Sequence, residues 1–583
     1  DKISNEFFKN LPVNWQLYLL SLFNKIIDTE KIPTDWCKSV ITMIYKKGDK
    51  TIPDNYRPIS LLNSILKIFT QIILDRLMSW DEEVGGLPES QCGFRKRRSC
   101  LDNLFILNSI VQIKLEYRQS DLFAIFVDYK KAFDNVNHNL LWHKLNRFGV
   151  SGKLIRILKY MYENAYIRVK TGDSFTEEIK VTKGVLQGEV LSGYLFSLFI
   201  SDIEDIFRAS GAPGIPLVPN KDILFSLYAD DKVIFADSSS DAVTKLKLLA
   251  NYATENGLKI NCNKTKIIHF HKGRSKALKK FYCLGEEIEV VPSYTYLGVK
   301  FSSSGLFHLA SKFAETKATS AVGAVLDSCR KSKTQSMDCR MRLNDAISVS
   351  TLHYGAEVWG LRYLGTIEKA HLHFYKRLFN LNKNTPYWLI RTEFNIDHSS
   401  YKILKLTLNW VYKMLSMNDN RIPKICYLKL KELHQNHPSP KYNWFTQLSD
   451  LLNKINYKHI LLDTDPTKLN NEIPQILAKY KEYSKVSDVK SLYEANYSSI
   501  YTNIYEHNVT NGPAQSYINL NIPFNIIKIF TQLKLSGKHQ IKITYKNSVY
   551  LINPHEICSV CNFNALEDLH HLIVICPIYS PIT

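Results

Sequence analysis

No apolar run in the chain reaches the ~18 residues that a membrane-spanning helix needs, although hydrophobic residues fill 45% of its 583 positions. The apolar content therefore belongs to a core, and the length suffices for three or more domains. A disulfide framework is missing as well. Eleven cysteines are spread thinly through the chain. An odd count at wide spacing argues against paired thiols and for a reducing compartment. Nothing resembling a signal peptide follows Asp1, and no internal repeat is visible. The first residue is Asp and not Met, so the chain reads as a fragment, or as a region cut from a longer polyprotein.

Positive charge is what the sequence has in excess. Lys and Arg number 75 against 55 Asp and Glu, a formal net charge of +20. A balance of that size concerns partners, not fold. Nucleic acid and an anionic membrane are the two candidates. The cations are scattered instead of gathered on one amphipathic helix, and aromatic residues make up 12%. That combination favours nucleic acid, whose phosphates attract cations and whose bases stack on rings. A merely solvated basic surface is the alternative.

Periodicity organises the first 420 positions. "KIPTDWCKSVITMIYKKGDK" (31–50) reads as a loop, a strand and a basic turn. "YRPISLLNSILKIFTQIILDRL" (56–77) begins extended, since a residue before Pro avoids the helical region. It then turns amphipathic, with Leu62, Leu66, Phe69 and Ile73 on one face. "LFAIFVD" (122–128) is an apolar run of strand length, suited to a buried strand. "NHNLLWHKLNRFGV" (137–150) starts with Asn caps and stops at Gly149, as a helix does. Apolar positions 191, 195, 199, 203 and 207 predict one helix of several turns. Residues 306–420 read as mostly helical. Residues 421–550, rich in Asn, Lys, Tyr and Ile, show no clear period.

"ILFSLYADDKVIFAD" (223–237) predicts a hairpin whose turn carries Asp230 and Asp231 side by side. Adjacent carboxylates repel, and a divalent cation would offset that. Mg2+ takes carboxylate oxygens and usually keeps phosphate and water ligands too. A third carboxylate is wanted to hold two ions about 3.5–4 Å apart for in-line phosphoryl transfer. Asp128, ending the apolar strand, is the candidate. The alternative is an ordinary polar turn, where Asp is common. A second constellation is "CSVCNFNALEDLHHLIVIC" (558–576): a CxxC pair, Cys558 and Cys561, then two histidines and Cys576. Three thiols with one imidazole make an ordinary structural zinc site; buried thiols are the alternative.

The words around these residues carry a resemblance. "FVDYKKAFDNV" (126–136), "GVLQGEVLS" (184–192) and "YADD" (228–231) stand in that order and resemble the catalytic motifs of reverse transcriptases. "KKGD" (46–49), "NYRPISLLNSILKI" (55–68), "QCGFRKRRSCLDNL" (91–104), "YLGVKFSSSG" (296–305) and "LHYGAEVWG" (352–360) are similar to non-LTR (LINE-type) retrotransposon members in particular. The likeness covers roughly residues 1–400 and the extreme C-terminus.

The resemblance implies an α+β right-hand polymerase. Its expected parts are fingers at 1–120, palm at 121–305, helical thumb at 306–420, a linker region of unknown role at 421–550, and a CCHC zinc knuckle at 551–583. It implies DNA synthesis on an RNA template, with Asp128, Asp230 and Asp231 as catalytic carboxylates. Two Mg2+ ions, or Mn2+ in their place, would be held by these and by the Tyr129 carbonyl. One ion would acidify the primer 3′-hydroxyl and the other would hold the triphosphate. Arg57, Phe133, Gln187, Gly188 and Lys264 become nucleotide-binding residues. Arg57 would fork onto the triphosphate, with Lys46 and Lys47 as further phosphate contacts. Phe133 would lie under the sugar and refuse a 2′-hydroxyl; otherwise it is a core aromatic. Lys264 would protonate the leaving pyrophosphate. Asp134 reads as a local cap. Arg95, Lys96, Arg97 and Arg98 become template ligands; for each basic residue a solvated surface role is the alternative. Tyr296, Leu297 and Gly298 become the primer grip. The knuckle pattern selects His571, with His570 as the runner-up, beside Cys558, Cys561 and Cys576.

The chain departs from the family at Glu189, Val190 and Gly193, where the usual form has Asp, Pro and a second Pro. This keeps open a decayed or domesticated nucleic-acid-binding remnant. A group II intron-type or telomerase-like enzyme is a further alternative, disfavoured by the knuckle and the finger motifs. The expected partners are element RNA, a DNA primer or target and dNTPs, with no membrane. The expected localisation is nuclear at the integration step, after cytoplasmic RNA–protein assembly. No stretch is assigned to an endonuclease, so polymerisation without target cleavage is expected.

Overall fold

The structure, a computed structural model, describes residues 3–116, 121–273, 279–494, 516–519, 522–537, 540–545, 548–568 and 570–578. It divides into two compact units, Asp1–Gly305 with Asp419–Glu432, and Leu306–Asn418 with Leu433–Thr583. Helices and sheets mix in the first, and helices dominate the second. Among the described residues no helix is long and apolar enough to cross a membrane.

The first unit is organised around the strand Leu122–Val127, every residue of which is buried. It pairs antiparallel with Asp231–Ala236 on one side and with Lys266–Phe270 on the other. Phe225–Tyr228 extends the sheet beyond Asp231–Ala236. A strand covered on both faces has no polar side to alternate with, hence its unbroken apolar sequence. A second sheet runs Tyr56–Leu61, Lys38–Tyr45, Tyr166–Thr171 and Ser174–Phe175, with Ile179–Lys180 also on Tyr166–Thr171.

The helix Ser64–Val84 starts where Asn63 accepts bonds from the Ile65 and Leu66 amides, and it stops at Gly85 in the left-handed region. Leu66, Phe69 and Ile73 are all buried along it. Asn137 likewise caps His138–Phe148, and Gly149 at φ 94° ends it. One expected helix is broken. Ser192–Phe199 and Ile203–Ala209 are separate helices. The reason is tertiary: the Lys144 ammonium takes the Phe199 carbonyl at 2.8 Å and also bonds Asp202. The Tyr252 hydroxyl donates to the same Asp202 carboxylate. A cation capping the last carbonyls ends a helix that apolar spacing alone would continue.

The reading of 421–550 as a linker is corrected. Helices Ile422–Asn436, Trp444–Asn453, Pro466–Glu494 and Phe524–Lys534 occupy much of it; residues 495–515 lie outside those described. In the second unit Arg391 is buried between Asp488 and Glu368, at 2.5 Å from each. This ties Tyr387–Phe394 to Leu364–Leu378 and to Pro466–Glu494.

The stretch Asp419–Glu432 belongs to the first unit through Arg421. Its guanidinium lies 2.6 Å from Glu89 and 2.6 Å from Asp102, whose side chain is fully buried. Removing one partner of a buried pair leaves the other charge uncompensated. Arg421→Ala should therefore destabilise the first unit by about 3–5 kcal/mol, read as a lowered urea midpoint by tryptophan fluorescence. A loss below about 1 kcal/mol, the level of a surface pair, contradicts this.

Candidate active site

The hairpin forms as its sequence predicts. Phe225–Tyr228 and Asp231–Ala236 pair antiparallel, with Tyr228 opposite Asp231. Ala229 and Asp230 form the turn. Ala229 has φ 55°, uncommon for a residue with a side chain. The Gln91 side-chain Oε1 holds this backbone, accepting from the Ala229 amide at 3.1 Å and from the Gly93 amide at 2.8 Å. Residues 90–92 run beside the strand: the Cys92 amide donates to Leu227 O, and the Leu227 amide to Ser90 O. The approach is close enough that a Cβ on Gly93 would fall 2.3 Å from the Ala229 nitrogen.

Asp128 follows the central strand. Lys232 pairs with Val127, so one further step of that register sets Asp231 opposite Asp128. The Asp128 amide donates to the Thr265 hydroxyl. Its carboxylate accepts from the Asn261 side-chain amide at 2.9 Å, and the Asn261 backbone amide donates to Asp128 O. Lys264 Nζ stands 3.7 Å from the same carboxylate, on a side chain 70% exposed. Tyr129 bridges Ile260. The flanking bonds are Asn261 N to Asp128 O and Lys130 N to Lys259 O; neither uses the Tyr129 carbonyl.

Electrostatics register the three carboxylates as neighbours. Burial raises the Asp230 carboxyl, the Asp128 charge pushes the same way, and Lys232 and Arg57 oppose them. Burial, with Asp230 and Asp128 adding to it, raises Asp231 to about 6. Below them Lys232 is wholly buried, 3.2 Å from the Tyr129 hydroxyl. Burial, reinforced by Lys144, lowers it to about 7. Acids raised and a base lowered describe a site that holds less charge than it could. A divalent cation would restore the carboxylates to their ionised form.

The remaining predicted residues gather around this centre in part. The Ser60 amide donates to Gln187 O at 2.7 Å, which ties 184–189 to the strand Tyr56–Leu61 bearing Arg57. Gly188, at φ 114°, faces Ser60: a Cβ there would meet Ser60 O at 2.6 Å. Pro58, Ser60, Asp134, Gly184 and Gln187 line a cavity of about 310 Å3. Asp134 accepts weakly from Gln187, at 3.4 Å. Phe133 is half-buried and stacks on Phe196 at 4.8 Å. The hairpin Ser293–Tyr296 with Val299–Ser302 turns at Leu297 and Gly298, both at positive φ. The Tyr296 hydroxyl meets Asn103, and Tyr294 stacks on Phe126 at 4.6 Å. Burial, then Asp128 and Asp231, push the Tyr294 hydroxyl up to about 12, so this hairpin lies beside the carboxylates.

The basic run does not act as one surface, which corrects that expectation. Arg95 is buried, donates to the Leu87, Pro88 and Gln91 carbonyls, and lies within 3.9 Å of Asp81 and 3.8 Å of Glu82. Arg98 grips Glu89 with two bonds of 2.7 and 2.8 Å. Buried carboxylates need such partners. Lys96, paired with Asp75 at 3.0 Å, and Arg97 are the exposed members.

In the second unit Cys558, Cys561, His571 and Cys576 are all buried, and their ligand atoms lie within 4.8 Å of one another. His571 Nε2, not His570, points into the group, 3.2 Å from Cys561 Sγ. The Val560 amide, with help from Cys561 and His571, lowers the Cys558 thiol to about 7. Three thiols and an imidazole converging so closely suit a tetrahedral metal ion.

Sequence reasoning missed Gln91, Asn261 and Thr265. Gln91 lies in a quoted motif, and Asn261 and Thr265 flank Lys264, but short polar residues there carry no periodic signal. Only the tertiary contacts assign them.

Residues 44–301 match the family described as reverse transcriptase (RNA-dependent DNA polymerase). RNA-directed DNA polymerase from mobile element jockey of Drosophila melanogaster is 27% identical over 402 residues, 67% of this chain and 42% of that protein. Probable RNA-directed DNA polymerase from transposon BS, also of Drosophila melanogaster, is 30% identical over 273 residues, 46% of this chain and 29% of that protein. A retrovirus-related Pol polyprotein from type-1 retrotransposable element R2 of Popillia japonica is 26% identical, over 40% of this chain and 32% of that protein. The chain is thus similar to proteins named as RNA-directed DNA polymerases and Pol polyproteins of such mobile elements, and it spans less than half the length of these relatives.

Glu189 stands at the departure from the family pattern and is 5% exposed. Burial raises its carboxyl from 4.5 to about 7, against opposing bonds from Thr70 and Ser192. The folded chain then binds this proton more tightly than the unfolded one. Its contribution to stability is full below pH 4.5 and is lost as pH rises to about 7, on the order of 3 kcal/mol in all. Glu189→Gln should melt above the parent at pH 8, with the gap closing towards pH 4.5. Parallel melting curves across that range contradict this.

Proposed function

We propose that the chain is the RNA-directed DNA polymerase of a non-LTR retrotransposon, extending a DNA primer along element RNA by nucleotidyl transfer. One observation carries this: Asp128 and Asp231 stand opposite each other at the same edge of adjacent strands, with Asp230 on the turn beside them, and the Asp128 charge raises the cost of ionising both Asp230 and Asp231. The family match over 44–301 supports it. In this reading 1–120 are fingers, 121–305 the palm and 306–420 the thumb. The primer would be a chromosomal 3′ end, which implies a nuclear site of action.

Asp128, Asp230 and Asp231 would hold a pair of Mg2+ ions, with the Tyr129 carbonyl as a further ligand. Such ions acidify the primer hydroxyl and neutralise the triphosphate. Everything else falls to the chain's own groups. Asn261 and Thr265 keep Asp128 aimed, and Gln91 keeps the Asp230 turn in its strained form. Arg57 would clamp the triphosphate. Lys264, exposed beside Asp128, would supply a proton to the departing pyrophosphate. Phe133 would bear on the sugar, and Gln187 with Gly188 would bound the nucleotide. Leu297 and Gly298 would seat the primer end. Lys96 and Arg97 remain as template contacts. The Cys558, Cys561, His571 and Cys576 cluster would hold a structural zinc ion in a knuckle that grips RNA or target DNA.

Extension of oligo(dT) on poly(rA) with Mg2+ tests the enzyme. The parent should incorporate dTTP, and Asp230→Asn should lose about 1000-fold or more, the factor that several kcal/mol of charge stabilisation implies. Equal incorporation by the two, or none by the parent, contradicts the reading. Elemental analysis tests the knuckle separately: about one zinc per chain in the parent and none in Cys558→Ser, because a site short of one ligand binds weakly. Zinc equal in both removes that assignment.

A further inference from the structure

Phe94 occupies the space that a side chain at position 193 would need. A Cβ built on Gly193 would fall 2.4, 2.5 and 2.6 Å from the Phe94 Cε1, Cδ1 and Cγ atoms. The ring therefore lies against bare backbone at the start of the helix Ser192–Phe199. Its own backbone is in the left-handed region at φ 57°, an uncommon state for a bulky residue. Neighbouring bonds impose it: Gly93 O accepts from Ser197 Oγ at 3.4 Å, and the Gly93 amide is held by Gln91. An aromatic residue kept in strained backbone, yet 48% exposed, is not there for the core.

What the ring touches is Phe133. The two meet edge to face, 6.4 Å apart at 82°, an arrangement aromatic pairs favour. Phe133 stacks at 22° on Phe196, which is fully buried and so fixed. Phe133 is thus set by one immovable ring and one exposed ring. The exposed one rests on a glycine. A methyl at 193 would displace the Phe94 ring and not the helix, because the exposed ring is the party free to move.

We propose that Phe94, seated on Gly193, is a positioning residue for Phe133 and sets how strictly a nucleotide with a 2′-hydroxyl is refused. This rests on the polymerase reading, with Phe133 beneath the incoming sugar. It gives Gly193 a function: one of the three residues that break the family pattern is the seat of the second ring.

The test is a coupling cycle read as the preference for dNTP over rNTP in single-nucleotide extension. Phe94→Ala and Gly193→Ala should each lower the preference about tenfold, the worth of one aromatic contact. The double variant should lose no more than either single one, because both act through the same ring. Phe94→Tyr, which keeps the edge, should keep the preference, and Phe94→Leu, which keeps only bulk, should not. Retention of the next dNTP or rNTP on a dideoxy-terminated primer reads the same preference without turnover. Parental preference in Phe94→Ala, or additive losses in the double variant, overturns the proposal alone. A parent that neither extends primers nor retains dNTP removes the polymerase reading, and this proposal with it.

Discussion

Three carboxylates held where they repel one another are the constraint on which the first unit is built. The Asp128 charge makes Asp230 harder to ionise, and Asp230 and Asp128 do the same to Asp231; folding gains nothing from that alone. Other contacts must hold the geometry. The Asn261 amide and the Thr265 hydroxyl fix Asp128 from one neighbouring segment. The Gln91 side chain fixes the Ala229–Asp230 turn from another. Lys232, buried beneath, brings a positive charge that opposes the rise at Asp230. A site strained in this way is poised for a cation, since binding one relieves the repulsion directly.

The surrounding architecture follows from keeping that arrangement rigid. Ligands that must stay within about 0.5 Å of place belong on strands and not on long loops. The buried strand Leu122–Val127 supplies such a base, clasped on both sides. The second sheet is stapled to the segment bearing Gln187 and Gly188 through Ser60. Close backbone approaches recur where substrate groups would lie: Gly93 on Ala229, and Gly188 on Ser60. Each would be lost to a single added methyl. The second unit is stabilised independently, by its own apolar core and by buried pairs such as Arg391 with Asp488.

What was legible in the sequence was what repeats or caps locally. The hairpin around Asp230, the apolar strand before Asp128, and the helix between Asn137 and Gly149 all follow from short-range pattern. Cys558, Cys561 and Cys576 also converge with one of the two histidines that precede Cys576; the choice of His571 over His570 came from the family resemblance and not from spacing. Long-range contacts were not legible. Nothing in the apolar rhythm of 191–207 announces that Lys144 takes the Phe199 carbonyl and ends the helix. The run 95–98 looked like one basic patch because a sequence does not show that Asp81 and Glu89 lie beneath it. Residues 421–550 looked aperiodic because their helices bury polar residues among the apolar ones, Thr446 and Ser449 in one and Ser484 and Asp488 in another, and because Pro474 sits inside the second. Gln91 had no signal at all; its role exists only once residues 90–92 lie along the strand.

The central claim is that the three aspartates form one cation-binding centre. Counting bound Mn2+ by electron paramagnetic resonance tests it most directly, with a dideoxy-terminated primer–template and the next dNTP present. The account predicts two ions per parent chain and a clear deficit in Asp128→Asn and in Asp231→Asn alike, though these residues lie on different strands. Undiminished Mn2+ in both variants would contradict it.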